Sequence, residues 1–299
     1  MKISICIPVY NFEVGELVND LKNEISEKNL NAEILLIDDA SDEKFIDINR
    51  GLQQEADHFI FLEKNIGRSR IRNLFLDYSG GDYLLFLDCD GKIIEKNFLE
   101  NYISFIVNNS TTQVIYGGRK VSESFPDQDH YLRWKFAIER ENLPVNKRLE
   151  NPYLSFQTNN FIIKKETLQK VRFNSEFQKY GYEDLLFAMD LRAENIKIDH
   201  IENPIFNNDV ENNQLYLEKV KESVESLSNM LKNKQLSGRL SEVKLVKAYK
   251  VLKNQPLRLF FKLFFTAGKR VLKNHLLKGT GSLRYLDLYK LGLLLERMP

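Results

Sequence analysis

The chain has 299 residues, 43% apolar and 28% charged, which excludes a disordered or fibrous protein and leaves length for about two domains with a substantial core. Cys6 and Cys89 are the only cysteines and no Cys/His cluster has zinc-ligand spacing, so a disulfide scaffold and a zinc centre are excluded and a reducing compartment is favoured. The formal net charge of +1 conceals a segregation: residues 230–299 hold sixteen Lys or Arg against Glu242, Asp287 and Glu296, so the body is acidic and the tail basic.

In chain order, Ile3–Val9 is a short apolar, β-branched run suited to a buried parallel strand. It lies within MKISICIPVY, which has neither the long apolar stretch nor the small-residue cleavage site of a signal peptide, so a cytoplasmic protein is expected. Leu17, Leu21 and Ile25 have helical spacing, and Ala32–Ile37 is a second apolar strand ending in Asp38-Asp39. A helix from about Asp42 to Glu55, the run His58–Leu62, a helix from Gly67 to Tyr78 and the strand Tyr83–Leu87 follow. Strands alternating with helices predict βαβ units and a mostly parallel sheet covered on both faces, an α/β fold. Further on, Gln113–Tyr116, Phe161–Ile163 and Ile196–Ile201 read as strands. Helices are predicted for Gln128–Glu141, from about Lys165, and for Asp184–Asn195, Asn213–Leu231, Ser241–Lys253, Leu257–Leu277 and Leu283–Glu296.

Polar residues gather at one end of the strands: Tyr10-Asn11, Asp38-Asp39, Asn65 and Asp88-Cys89-Asp90. Open parallel sheets bind ligands beyond the carboxyl ends of their strands, so these loops are expected to converge on one crevice, although each alone also reads as a helix cap or turn. Asp88 and Asp90 offer two hard oxygen donors on one side of a tight turn, a setting that suits Mg²⁺ or Mn²⁺. A GxGxxG dinucleotide fingerprint is absent after the first strand and a P-loop is absent throughout.

Five segments, Ile7-Pro8-Val9-Tyr10-Asn11, Ile37-Asp38-Asp39-Ala40-Ser41-Asp42, Asn65-Ile66-Gly67 with Arg72-Asn73, Leu85-Phe86-Leu87-Asp88-Cys89-Asp90 and Gly181-Tyr182-Glu183-Asp184, together resemble the family 2 glycosyltransferases over roughly residues 1–210. The resemblance implies a GT-A fold at residues 1–210, with a nucleotide-binding half (1–110) and an acceptor half (111–210), followed by a helical, basic region at 211–299. It implies an inverting, hexosyltransferase-like enzyme whose donor is a UDP-, GDP- or TDP-sugar. Pro8, Tyr10, Asn11, Asp39 and Asn65 would hold the nucleoside, Arg72 and Asn73 the nucleotide, Asn160 the donor sugar, Asp88 the ribose or sugar, and Asp88 with Asp90 the metal-bound diphosphate. Asp184 is the implied general base and Glu183 its neighbour, which can tune it by repulsion. Related enzymes often carry a histidine in an Asn-Pro-x-x-His pattern, where it can complete the metal shell. Here the segment reads Asn203-Pro204-Ile205-Phe206-Asn207, with asparagine in that place. Gly91 likewise stands where a further acid is common, while His200 is expected to be structural, and Trp134 with Arg133 to belong either to the core or to an acceptor site.

The tail segment Leu257–Phe265 mixes bulky apolar and cationic residues, too short in uninterrupted apolar run to cross a bilayer but suited to lie on an anionic leaflet. No zinc finger, RNP-like signature or helix-turn-helix accompanies it, so a membrane surface is expected as partner and nucleic acid is not. The implied acceptor is a glycan or lipid-linked saccharide in bacterial cell-surface polysaccharide synthesis, and the implied place is peripheral, at the inner face of the membrane. The competing readings are a sugar nucleotidyltransferase, from which Pro8–Gly15 differs in lacking a Gly- and basic-rich phosphate loop, and a catalytically weak scaffold of a glycan-assembly complex.

Overall fold

The computed structural model describes residues 1–176, 181–207, 210–252 and 255–298. Among them the strands are β1 (Ile3–Val9), β2 (Ala32–Asp38), β3 (His58–Phe61), β4 (Tyr83–Leu87), β5 (Gly91–Ile93), β6 (Val114–Tyr116), β7 (Arg119–Lys120), β8 (Asn160–Lys164), β9 (Ile198–His200) and β10 (Ile205–Asn207). The helices are α1 (Gly15–Glu27), α2 (Glu43–Asn49), α3 (Arg68–Leu74), α4 (Phe98–Asn108), α5 (Tyr131–Phe136), α6 (Val145–Glu150), α7 (Lys165–Lys170), α8 (Glu183–Ala193), α9 (Asn213–Lys232), α10 (Lys234–Ser237), α11 (Lys244–Val251), α12 (Gln255–Leu277) and α13 (Leu283–Arg297).

The chain divides into two compact units, neither continuous in sequence: residues 1–121, 142–178 and 190–209, and residues 122–141, 179–189 and 210–299. The first unit is built on a seven-stranded sheet ordered β3-β2-β1-β4-β8-β6-β9. β1 pairs in parallel with β2 and β4, β2 with β3 and β6 with β9, whereas β8 runs antiparallel between β4 and β6. A three-stranded sheet, β5-β10-β7, accompanies it. β1 and β4 are near-continuous apolar runs because both faces of the sheet are covered: Ile5, Cys6, Ile7, Leu84, Leu85 and Phe86 are all fully buried. Leu17, Val18 and Leu21 bury one stripe of α1 in that core. One turn on, the Glu24 carboxylate accepts the backbone N–H groups of Leu99 (2.9 Å) and Glu100 (3.1 Å), capping α4, a helix the sequence pattern leaves unassigned.

The second unit is helical, with α9, α11, α12 and α13 as its main members and Leu227, Leu240, Leu286 and Leu294 among its fully buried side chains. Several predicted helices are shorter than their patterns. α2 stops at Asn49 and runs on as a 3₁₀ turn through Gln54, α3 becomes 3₁₀ after Leu74, and α5 gives way to a π-turn at Ala137–Glu141. The predicted end of the Ser241–Lys253 helix, Lys253, lies outside the described residues.

His200 is buried at the end of β9, edge-on to Tyr116, with its Nε2 3.1 Å from the Pro152 carbonyl oxygen, in agreement with a structural role. Burial, and then the neighbouring Arg148 guanidinium, push its imidazole down to about 4. A histidine held neutral in the folded state takes up a proton more readily when unfolded, so its contribution is complete above the ordinary value near 6.5 and declines as the pH falls from there toward 4. Urea unfolding between pH 7 and pH 4 is expected to show about 3 kcal/mol of stability lost to this one group, a slope that His200→Gln removes.

Candidate functional site

The loops at the carboxyl ends of β1, β2 and β3 are joined by hydrogen bonds. Asp39 donates its N–H to the Val9 carbonyl (2.8 Å), the Asn11 N–H reaches Ser41 Oγ (2.8 Å) and the Asp42 N–H reaches Asn11 Oδ1 (2.7 Å). Asp38 is fully buried and accepts both the N–H and the hydroxyl of Ser41 at 2.7 Å, closing a local turn. Asp39 accepts the N–H groups of Ile66 (2.7 Å) and Gly67 (3.0 Å), fixing the corner after β3. Burial pushes its carboxyl above the ordinary carboxylate range, against the pull of those two amides. Asn11 and Ala40 adopt φ of 50° and 61°, rare for residues with a side chain and characteristic of strained functional loops. Above this frame the Tyr10 ring is 52% exposed, available as a flat surface, Pro8 is partly buried within β1, and Asn65 is exposed.

The loop after β4 carries the two acids. Asp88 Oδ1 accepts from Arg72 Nη2 at 3.0 Å, and Arg72 is 2% exposed, its guanidinium 5.7 Å from the centre of the Phe173 ring. Asn73 clamps Phe173 from the other side, accepting its N–H (2.9 Å) and donating to its carbonyl (2.8 Å). Asn73, expected at the nucleotide, thus holds the backbone of Phe173, whose ring lies beside Arg72. Asp90 Oδ2 accepts from the Asn207 side-chain amide at 2.7 Å, so the asparagine standing in the histidine position touches the acid directly. Burial, and then Asp88, push the Asp90 carboxyl above its ordinary range, while Asn207 and the charges of Arg119 and Arg68 oppose the shift. Arg68, at the start of α3, and Arg119, in β7, lie outside the motifs that the sequence singles out. Between the acids, Cys89 is pushed up to about 12 by burial and by Asp90, so it is no nucleophile. Gly91 has a steric cause: a Cβ there would lie 2.3 Å from the Ile205 side chain across the β5–β10 pair.

The start of β8 completes the crevice. The Asp88 N–H donates to the Asn159 carbonyl (3.0 Å), and Leu87 pairs with Asn160, so by strand alternation Asn159 shares the face of Asp88, and Asn160 the opposite face. Asn160, expected at the donor sugar, is fully buried. It accepts from the Tyr102 hydroxyl (2.6 Å) and donates to the carbonyls of Gly118 (2.9 Å) and Asn203 (2.8 Å). Asn159 is also buried, yet neither polar atom of its side chain has a hydrogen-bond partner among the described residues, and the same holds for Arg72 Nε. Two buried side chains with unmet hydrogen-bonding capacity, one bonded to the Asp88 carboxylate and the other on the residue that accepts the Asp88 N–H, mark a place for a polar ligand.

Asp88 and Asp90 also suit a divalent ion. They are two hard oxygen donors, and Asp90 carries charge that its surroundings only partly offset, although no cluster of three or more His, Cys, Asp or Glu among the described residues is arranged to hold a metal ion. That donor set matches Mg²⁺ or Mn²⁺, which bind through one or two carboxylates and take their other oxygens from phosphate and water.

Glu183 and Asp184 open α8. The Glu183 carboxylate accepts the Gly181 N–H at 2.7 Å, reaching back over a corner in which Gly181 (φ 101°) and Tyr182 (φ 68°) are both left-handed. Glu183 is buried and Asp184 partly exposed. Trp134 donates Nε1–H to the Ser122 carbonyl (2.8 Å) and packs with Phe125 and Tyr131, while Arg133 pairs with Glu141 (2.9 Å) and Glu211 (3.4 Å).

A twisted, mostly parallel sheet with acids clustered at its strand ends is the GT-A fold. Mannosyltransferase PcManGT from Pyrobaculum calidifontis, solved in complex with GDP-Man and Mn²⁺, superposes with a TM-score of 0.58 at 12% identity, covering 99% of this chain and 85% of that one. S. aureus TarS 1-349, in complex with UDP-GlcNAc, gives 0.51 at 18% identity over 97% and 90%. The family model described as Glycosyl transferase family 2 matches residues 4–180, and the chain belongs to that family. Among its curated relatives is a poly(ribitol-phosphate) beta-glucosyltransferase of Bacillus spizizenii, 33% identical over 107 residues, 34% of this chain and 17% of that protein. The chain spans less than two thirds of the length of the curated relatives it matches.

Proposed function

We propose that the chain transfers a sugar, with inversion, from a nucleotide-diphospho-sugar to a hydroxyl of a glycan or lipid-linked saccharide in the assembly of a cell-surface polysaccharide. The observation that carries this reading is the pair of acids Asp88 and Asp90 on one turn, held by Arg72 and Asn207, with unmet capacity at Arg72 Nε and Asn159. Relatives named for poly(ribitol-phosphate) and teichuronic acid synthesis support a cell-surface polymer as acceptor. In this reading Tyr10 offers its ring to the nucleobase, and the Asp39-held corner borders the ribose. Arg68 and Arg119 balance the diphosphate, and Asp88 and Asp90 hold Mn²⁺ or Mg²⁺. The ion, when bound, stabilises the negative charge that develops on the departing nucleoside diphosphate. Asp184 takes the proton from the acceptor hydroxyl as its oxygen attacks the anomeric carbon opposite the leaving group, which inverts the configuration. A thermal-shift and hydrolysis panel of UDP-, GDP- and TDP-sugars, with Mn²⁺, with Mg²⁺ and with chelator, tests the assignment. One preferred nucleotide whose effect needs the ion supports it, and no nucleotide shift under any condition refutes it.

The two adjacent asparagines separate binding from folding. Asn159→Ala strands no protein group and is expected to raise the donor KM about tenfold, the worth of one hydrogen bond at the strong end, with unfolding nearly unchanged. Asn160→Ala orphans the Tyr102 hydroxyl and two buried carbonyls and is expected to lower stability by about 2–3 kcal/mol. Donor titration with urea unfolding checks both, and an unaltered KM in Asn159→Ala removes that residue from the donor site.

The same reading places the enzyme peripherally on the inner face of the cell membrane. From Val243 to Leu286 the sequence has eleven Lys or Arg and no acid, and no helix among the described residues is long and apolar enough to cross a membrane. Each basic residue near an anionic surface contributes about 1 kcal/mol at moderate ionic strength. Pelleting with anionic vesicles that is lost at high salt supports this placement, and its absence at low salt overturns it.

A further inference from the structure

We propose that the groove between α12 and α13 binds the hydrocarbon chain of a single anionic lipid, so that the basic region holds one lipid molecule rather than only resting on a charged surface. This deepens the membrane reading above. The groove measures about 460 Å³, within the range of small-molecule sites, and is lined by Phe261, Phe264, Val271 and Leu272 of α12 and by Tyr285 and Leu288 of α13. Its wall belongs to a stripe on α12 at helical spacing, Leu257, Phe260, Phe261, Phe264, Gly268, Val271 and His275, much of it in solvent: Phe260 is 68% exposed, Phe264 63% and Val271 73%. From Phe261 to His275 the stripe runs about 20 Å at 1.5 Å per residue, a long narrow shape suited to an extended chain. Its polar end is also defined. His275 packs against Tyr285 with ring centroids 4.7 Å apart, and its Nε2 is buried with no hydrogen-bond partner among the described residues. Lys278 follows three residues later, and Lys278, Arg270 and Arg284 are exposed within a segment that holds no acid. An apolar trough ending in an imidazole with an unpartnered Nε2 and flanked by the exposed cations Arg270, Lys278 and Arg284 complements a hydrocarbon tail with a phosphate head.

Gly268 supplies the decisive variant. A Cβ added there meets nothing within 4 Å, so Gly268→Leu carries a bulky side chain into the groove from a clash-free Cβ, keeps every charge and improves helix propensity. Calorimetric titration of the full chain with alkyl phosphates below their micelle concentrations is expected to show affinity rising about fourfold per methylene from hexyl to decyl phosphate. Inorganic phosphate should give no measurable heat, and Gly268→Leu should weaken decyl phosphate binding more than tenfold. Val271→Glu should do the same where Gly268→Leu folds poorly by circular dichroism. Affinity independent of chain length, unchanged binding in both variants, or no binding by the wild-type chain overturns the proposal. So does a concentration-dependent dimer that Gly268→Leu abolishes in the absence of alkyl phosphate binding, which assigns the groove to a second copy of the chain. The two readings fail separately. Decyl phosphate binding without pelleting on vesicles of phosphatidylcholine with phosphatidylglycerol supports the groove and overturns the membrane placement, whereas pelleting without decyl phosphate binding does the reverse.

Discussion

Asp90→Asn is expected to lower kcat/KM for sugar transfer about a thousandfold while leaving the fold intact. The asparagine carbonyl can still accept the Asn207 amide now bonded to Asp90 Oδ2, so at most about 1 kcal/mol of stability is at risk. What disappears is a negative charge at a point that burial and Asp88 already make unfavourable for one. In the proposed reading this carboxylate faces a cation, and removing it forfeits several kcal/mol of transition-state charge stabilisation at about 1.36 kcal/mol per tenfold in rate. Asp88→Asn behaves differently. It turns the charge-assisted bond to Arg72 into an ordinary one and leaves a buried guanidinium without a counter-ion, so about 2 kcal/mol of stability should be lost together with activity. Initial rates with saturating Mn²⁺, paired with urea unfolding of each variant, separate the two acids. Wild-type kcat/KM in Asp90→Asn would dismiss the crevice as the reaction centre.

The contrast also shows what the sequence made legible. β1, β2 and β4 were readable because both faces of each are buried, which leaves apolar runs ending abruptly at Tyr10, Asp38 and Asp88, and the order of those ends already implied a common crevice. The antiparallel direction of β8 and the strands β5, β7 and β10 were not readable. Each of the three small strands is only two or three residues long and owes its existence to partners distant in sequence, as when Asn207 pairs with Gly91. Asn160, expected at the donor sugar, shows the same dependence on register. Asn159 and Asn160 look alike in sequence, but alternation along an extended chain sets their side chains on opposite faces, and register decides which face each takes. Asn73 presents a similar case: its polar atoms hold the backbone of Phe173, a hundred residues away, so a local pattern of Arg followed by Asn could not reveal that only the arginine meets the acid.

Asp184→Asn is expected to lower transfer by three to four orders of magnitude with nucleotide affinity within about twofold of wild type. In the proposed reading Asp184 is a positioned base, worth about 10²–10⁴ in rate, and one-step inversion leaves no covalent intermediate through which the loss could be bypassed. Glu183 provides the internal control, because the two acids are neighbours at the start of α8 but have different surroundings. Glu183 is buried and accepts the Gly181 N–H, so Glu183→Gln retains an acceptor and Glu183→Ala loosens the corner. That corner holds two successive left-handed residues, and Tyr182, with φ of 68°, is one whose side chain disfavours the conformation. Glu183→Ala should therefore reduce stability by about 1–2 kcal/mol and activity moderately, while Glu183→Gln remains close to wild type in both. Nucleotide binding by calorimetry, single-turnover transfer and unfolding of the three variants form the test. An active Asp184→Asn enzyme, or an inactive Glu183→Gln enzyme beside it, moves the base from Asp184 to its neighbour or away from this helix altogether.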